Sequence, residues 1–123
     1  KNGHLRSLHN LAIMYRFGAG VKKSYAVAIQ CYRKLTETGD IEAATELGEM
    51  ILHGHGFVRN PTDAAKWFQV AADHKFDKAM FLLGTLYVEG EGVEKDVEKG
   101  LDLIQKAADN KYEPAEEYLI DHQ

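Results

Sequence analysis

The chain of 123 residues is long enough for one domain, and its 45% hydrophobic and 28% charged residues are typical of a folded globular protein. Its net charge of −4 leaves no basic excess to bind a phosphate backbone, so nucleic acid is not expected as a main partner. The apolar runs are much shorter than the roughly 20 residues that cross a bilayer, so we expect no direct membrane insertion of this segment.

Cysteine usage and processing signals bear on the compartment. Cys31 is the single cysteine, which excludes an internal disulfide framework. We expect no signal peptide, and the near-sequon Asn60-Pro61-Thr62 has proline at the position that blocks glycosylation. These features lean toward the cytoplasm.

A period of 36 residues runs along the whole chain, and it predicts a repeat architecture. The period links three glycine pairs, namely Gly18/Gly20, Gly54/Gly56 and Gly90/Gly92. It also links two apolar columns, namely Leu11, Leu47, Leu83 and Leu119, and Ala43, Ala79 and Ala115.

Each unit is predicted to contain two helices. In the middle unit, Ala43, Leu47 and Ile51 are four residues apart and form one apolar helix face. The Gly-x-Gly pair ends this helix, since glycine readily adopts a left-handed backbone conformation. The second helix is predicted to begin after an N-cap, which is Ser24, Asn60 and Asp96 in the three units.

Helix pairs of this kind bury their apolar faces only by stacking. The sequence therefore predicts an all-α fold, an α-α superhelix (solenoid) of about three helix-pair repeats at 7–42, 43–78 and 79–114 plus a terminal helix at 114–122. Gly3 lies 36 residues before Gly39, a predicted helix end, so we expect a preceding unit and a fragment of a longer array.

Several residues depart from the repeat pattern, and three of them bear on helix stability or on helix ends. Gly100 stands in a helix at a column otherwise occupied by alanine, which predicts a cost of about 1 kcal/mol and a locally soft helix. Lys75 and Lys111 stand in the column of Gly39, so we expect the left-handed residue to be the preceding His74 or Asn110 instead.

The motifs Leu47-Gly48-x-x-Ile51-x-x-Gly54-x-Gly56 and Leu83-Gly84-x-x-Tyr87-x-x-Gly90-x-Gly92 resemble the Sel1-like repeat, a relative of the tetratricopeptide repeat. The resemblance covers essentially the whole chain. It implies a non-enzymatic scaffold or adaptor that binds a protein or peptide on its concave surface, with further repeats in the same parent chain and no cofactor.

Other functions remain as alternatives. Some disulfide-rich relatives have been linked to hydrolysis, but this chain lacks their cysteine pairs. His53-Gly54-His55 is an incomplete metal-binding pattern, so no metal site is expected, and Cys31 lies in a predicted core column, so no catalytic residue is expected. A structural array that associates with itself is a further alternative.

The resemblance to tetratricopeptide repeats implies that the first helix of each pair lines the concave surface. Its inward positions outside the core are the candidate partner contacts, namely Arg6, His9, Ile13, Arg16, Phe17, Thr45, Glu49, Leu52, His53, Phe81, Thr85, Val88 and Glu89. We expect an acidic group of the partner near Arg16 and an apolar anchor near Phe81. Alternatively, Phe17 and Phe81 pack against a neighbouring unit.

Overall fold

The computed structural model describes residues 2–122, and the side chains from residue 5 onward. Within this range the chain forms helices and turns and no strand. The helices are α1 (Asn2–Phe17), α2 (Tyr25–Glu37), α3 (Ile41–His53), α4 (Pro61–Asp73), α5 (Asp77–Glu89), α6 (Val97–Asp109) and α7 (Glu113–Asp121). The all-α prediction is confirmed.

Consecutive helices pack against each other along the whole array. The largest cluster of buried side chains is continuous from Ala12 in α1 to Leu86 in α5. A smaller cluster around Ile104 in α6 includes Ala115 of α7. The helix pairs thus bury their apolar faces by stacking, in two clusters along the array, and the predicted solenoid is confirmed.

The predicted caps of the second helices are confirmed. Side-chain oxygens of Ser24, Asn60 and Asp96 accept hydrogen bonds from the backbone three residues later, at 3.3, 3.1 and 3.0 Å. These bonds satisfy donors that a helix start leaves without partners. In the first helix of the middle unit, α3, Gly54 closes the C-terminal end with a left-handed φ of 73°.

Gly3 lies inside α1, which begins at Asn2, so the expectation that it closes a preceding helix is wrong. The expectation for the lysine-containing turns is wrong as well. His74 and Asn110 have negative φ angles, whereas Lys75 and Lys111 adopt φ of 61° and 69°. The Lys75 and Lys111 amides donate to Ala72 and Ala108, at 2.8 and 2.9 Å, as in a Schellman-type ending.

We expect Lys75→Gly to raise the free energy of unfolding by about 1 kcal/mol, because glycine adopts left-handed φ without the steric cost of a Cβ. The reciprocal variant Gly39→Lys changes the same column of the first unit, where φ is 86° and the space around a Cβ is open. It should lower the free energy by a similar amount. Chemical denaturation followed by circular dichroism measures both, and a loss of stability in Lys75→Gly would contradict the prediction.

Small residues allow the two helices of a unit to approach closely. A Cβ on Gly48 would lie 2.7 Å from the Phe68 ring, and Phe68 is fully buried. A Cβ on Gly84 would lie 2.7 Å from the carbonyl oxygen of Gly100. Glycine at these two positions of one column therefore sets the distance between the first and second helices of the second and third units.

Candidate functional site

The candidate contacts lie on α1, α3 and α5, and we call the surface they form the first-helix surface. Twelve of them form four columns at 36-residue spacing with one member per unit, as in Phe17, His53 and Glu89, and Arg6 is the single candidate of its column. Four of the candidates are exposed, namely Arg6, Phe17, His53 and Glu89. Seven are partly buried, namely His9, Ile13, Glu49, Leu52, Phe81, Thr85 and Val88.

Two candidates are buried, and Thr45 is the clearer case. Its side chain has no exposed surface, and its hydroxyl donates to the carbonyl of Ile41 at 3.1 Å. A side chain enclosed in this way cannot touch a partner on the surface. Including Thr45 among the contacts was therefore wrong, because helical position alone does not show how closely the next helix approaches.

Arg16 is the other buried candidate, with 6% of its side chain exposed. Its Nη1 atom donates to Glu46 Oε2 at 2.6 Å. The other oxygen of Glu46 accepts from Lys78 Nζ at 2.9 Å, and Lys78 also pairs with Glu49 at 2.8 Å. This charge network joins α1, α3 and α5, so the guanidinium expected to receive a partner's acidic group already has an internal carboxylate.

Lys78 is held in its charged form by this network. Burial acts to lower the pKa of Lys78, but hydrogen bonds to Glu49 and Glu46 outweigh it and raise the pKa above its ordinary value. Both signs of charge are balanced inside the network, with two cations and two carboxylates. The network is suited to fixing the relative positions of three first helices.

The two aromatic candidates differ in their surroundings. Phe81 packs into the C-terminal cluster, with its ring centre 5.9 Å from those of Tyr112 and Tyr118. Phe17 is 62% exposed, and the Arg16 guanidinium carbon lies 4.9 Å from its ring centre. The alternative of packing against a neighbouring unit is thus correct for Phe81, and Phe17 is the exposed aromatic residue of the first-helix surface.

Sequence reasoning missed Glu46, which is central to the charge network. The columns of the repeat place the adjacent Thr45, and not Glu46, among the inward positions. Glu42, Glu46 and Glu49 are spaced by four and three residues, which places three carboxylates on one helix face. That spacing was a usable signal for an acidic row facing the neighbouring helices.

Cys31, His53 and His55 are the side chains in the sequence that bear on catalysis or metal binding. Cys31 is 6% exposed and lies in the main core, as its column predicts, and burial raises the pKa of its thiol against a smaller lowering by Lys34. The rings of His53 and His55 lie 5.7 Å apart. In the part of the chain that the structure describes, no three His, Cys, Asp or Glu residues are grouped to hold a metal ion.

The lengths and compositions of the helices bear on whether the chain could cross a membrane. Between residues 2 and 122, none of the helices has both the length and the apolar character that a bilayer crossing requires.

Known proteins resemble this chain in sequence and in structure. It is 31% identical over 98 residues to the ERAD-associated E3 ubiquitin-protein ligase component HRD3B of Arabidopsis thaliana, covering 78% of this chain and 15% of that protein. The structure of a Sel1 repeat protein from Oxalobacter formigenes matches with a TM-score of 0.84 and 30% identity, over 94% of this chain and 47% of that one.

A second solved structure is c5321, described as a protective antigen of uropathogenic Escherichia coli strains that displays an SLR fold. It matches with a TM-score of 0.83 and 31% identity over 89% of this chain and 23% of that one. The family model described as Sel1 repeat matches residues 5–40, 41–76 and 77–112, which is most of the chain. The chain therefore belongs to the Sel1 repeat family.

Proposed function

We propose that this chain is a non-enzymatic scaffold or adaptor module that binds a protein or peptide on the concave surface formed by its first helices. Proteins with Sel1 repeats generally act as scaffolds for protein interactions. The relative HRD3B is named as a component of a ubiquitin ligase, a description that fits a protein acting within an assembly.

The observation that carries the proposal is that the first helices have a buried face and an exposed face. Leu47 and Met50 are almost fully buried, so the core is formed without the exposed residues of this surface. Phe17 remains 62% exposed on the same set of helices. An exposed aromatic side chain that the fold does not need is the type of residue that anchors protein interfaces.

We also propose that the chain is one part of a longer array of the same repeats. HRD3B and the Oxalobacter formigenes protein both extend well beyond the region of similarity, since this chain spans 15% and 47% of them. A longer array would add first helices to the same surface and so enlarge the area that a partner contacts.

Site-specific photo-crosslinking in cells that contain the natural partners tests the proposed function. The photoreactive residue p-benzoylphenylalanine would replace Arg6, Phe17 or Glu89 on the first helices, one at a time. Matched controls would replace Val70 on α4 or Leu101 on α6, which are also exposed, at 47% and 38%. We expect the same cross-linked protein from the first-helix positions and little from the controls.

The opposite result is equally clear. Cross-links that form as well from Val70 and Leu101 as from the first helices, or from the control positions alone, would contradict a partner site on the concave surface. Mass spectrometry of the cross-linked product identifies the partner in the expected case.

A further inference from the structure

Charge is distributed unevenly along the array. Residues 1–40 contain seven lysines and arginines and two carboxylates, whereas residues 77–123 contain five lysines and twelve carboxylates. The net charge of −4 therefore conceals a basic first unit and an acidic third unit. Charge asymmetry on this scale steers partners of opposite charge to one end of a molecule.

The basic side chains meet aromatic ones at the turns of the first two units. Tyr25 stacks on the imidazole of His55, with ring centres 5.0 Å apart and planes within 2°. Lys23 Nζ lies 5.2 Å from the centre of the Tyr25 ring, and the ring centre of His53 lies 5.7 Å from that of His55. Together with the exposed Lys22, these residues form what we call the basic turn cluster.

The basic turn cluster has a fixed geometry. A Cβ on Gly56 would lie 2.9 Å from the Tyr25 Cβ, so the turn of the second unit sits directly on the start of α2. Gly56 has a φ of 83°, a conformation that glycine adopts readily. The turn of the second unit is thus packed against α2, and the ring of His55 is held against Tyr25.

The basic side chains of the cluster lack carboxylate partners. Among the ion pairs formed by residues 5–122, none involves Lys22, Lys23, His53 or His55. The Nδ1 atom of His55 is buried without a hydrogen-bond partner. Burial lowers the pKa of His55, and the positive charges of Arg16, His53 and Lys23 lower it further, against a smaller opposing effect of Glu49.

Three of the equivalent positions in the third unit carry carboxylates, whereas Lys95, in the column of Lys23, keeps a positive charge. Glu89 occupies the column of Phe17 and His53, and Glu91 occupies the column of His55. Glu94 occupies the column of Lys22. The cluster is therefore confined to the first two units and is not a general property of the repeat.

We propose that the basic turn cluster binds an acidic segment of the protein partner, with carboxylates beside Lys22, Lys23 and His53 and an apolar side chain on Phe17. The inference rests on the proposed function and names the chemistry of the partner. Phe17 lies next to the cluster, because a Cβ on the following residue, Gly18, would lie 3.3 Å from the Cβ of Lys23. A segment with alternating carboxylates and apolar groups matches this arrangement.

The arrangement favours a short acidic peptide over a nucleic acid. A nucleic acid needs an extended basic path for its phosphates. Here the path from the cluster along the turns meets Glu89, Glu91 and Glu94 of the third unit. The basic surface thus has room for a few carboxylates and ends where a longer polyanion would be repelled.

An NMR titration tests the proposal, with the peptide Glu-Glu-Leu-Glu-Glu-Leu, blocked at both ends, as the probe. We expect amide shifts of the ¹⁵N-labelled chain to concentrate at 17–25 and 53–59. The variant Lys23→Glu should weaken binding at least tenfold. Its matched control is Lys95→Glu, in the same column of the acidic third unit, which should change affinity less than twofold.

Several outcomes would overturn the proposal. They are the absence of binding, shifts that lie mainly elsewhere, equal binding of the same peptide with lysine in place of glutamate, and equal effects of Lys23→Glu and Lys95→Glu. Tighter binding of a single-stranded oligonucleotide to the cluster would also overturn it.

Cross-links from Arg6 and Glu89 without one from Phe17 would leave the proposed function standing while excluding the cluster. A failure at all three positions would refute the proposed function itself.

Discussion

The substitution Glu46→Ala is expected to lower the free energy of unfolding by about 3–5 kcal/mol. Glu46 is 14% exposed and is the carboxylate partner of Arg16, whose side chain is 6% exposed. Its removal leaves the guanidinium charge buried without a counter-ion, a state that costs much more than the pair itself contributes. Urea unfolding followed by circular dichroism gives the change directly.

Two further variants separate a buried charge from a general loss of side-chain contacts. Asp102→Ala removes an exposed pair with Lys106 at 3.2 Å and should cost no more than about 0.5 kcal/mol. The double variant Arg16→Met with Glu46→Leu should recover most of the lost stability, because no isolated charge remains at α1. If Glu46→Ala cost as little as Asp102→Ala, the charge network would not hold the three first helices together.

Gly100→Ala is expected to lower the free energy of unfolding by about 1–3 kcal/mol. A Cβ at position 100 would lie 2.5 Å from the carbonyl oxygen of Gly84 and 2.9 Å from the backbone nitrogen of Val88. Backbone atoms of α5 cannot move aside as a flexible side chain can, so α5 and α6 must separate. Helix propensity alone predicts the opposite sign, a gain of up to about 1 kcal/mol.

The sign of this change makes the experiment decisive. Gln105→Ala is the matched control, because Gln105 is exposed on the same helix and its replacement should alter stability by no more than about 0.5 kcal/mol. Thermal and chemical unfolding of both variants would be compared with those of the parent chain. Greater stability of Gly100→Ala would show that α5 and α6 are not held as closely as the structure indicates.

The fold was predictable where local chemistry and the 36-residue period agree. Ser24, Asn60 and Asp96 cap their helices as expected, since the interaction involves only residues three positions apart. The left-handed Lys75 was not expected, because propensity favours His74 there. In the structure, the amides after α4 bond back to its carbonyls, and this hydrogen bonding outweighs the preference of the side chain.

The candidate surface was predictable in outline only. The helices that carry it follow from the repeat, and Phe17 and His53 are exposed as expected. The burial of Arg16 depends on Glu46, which lies 30 residues away on another helix. The environment of Phe81 depends on Tyr118, whose position on α7 is set by the packing of the last helix. Contacts of this kind join residues of different units, so the pattern within one repeat can indicate an acidic row such as that of Glu46 but not the residue that pairs with it.

Amide hydrogen exchange tests the central claim most directly. It would be measured by mass spectrometry on the chain alone and on its complex with the partner that cross-linking identifies. The claim is that stacked first helices present a surface for another protein. The account predicts that added protection in the complex falls on α1, α3 and α5 and on the turns that follow α1 and α3. Protection limited to α2, α4 and α6, or no added protection, would contradict it.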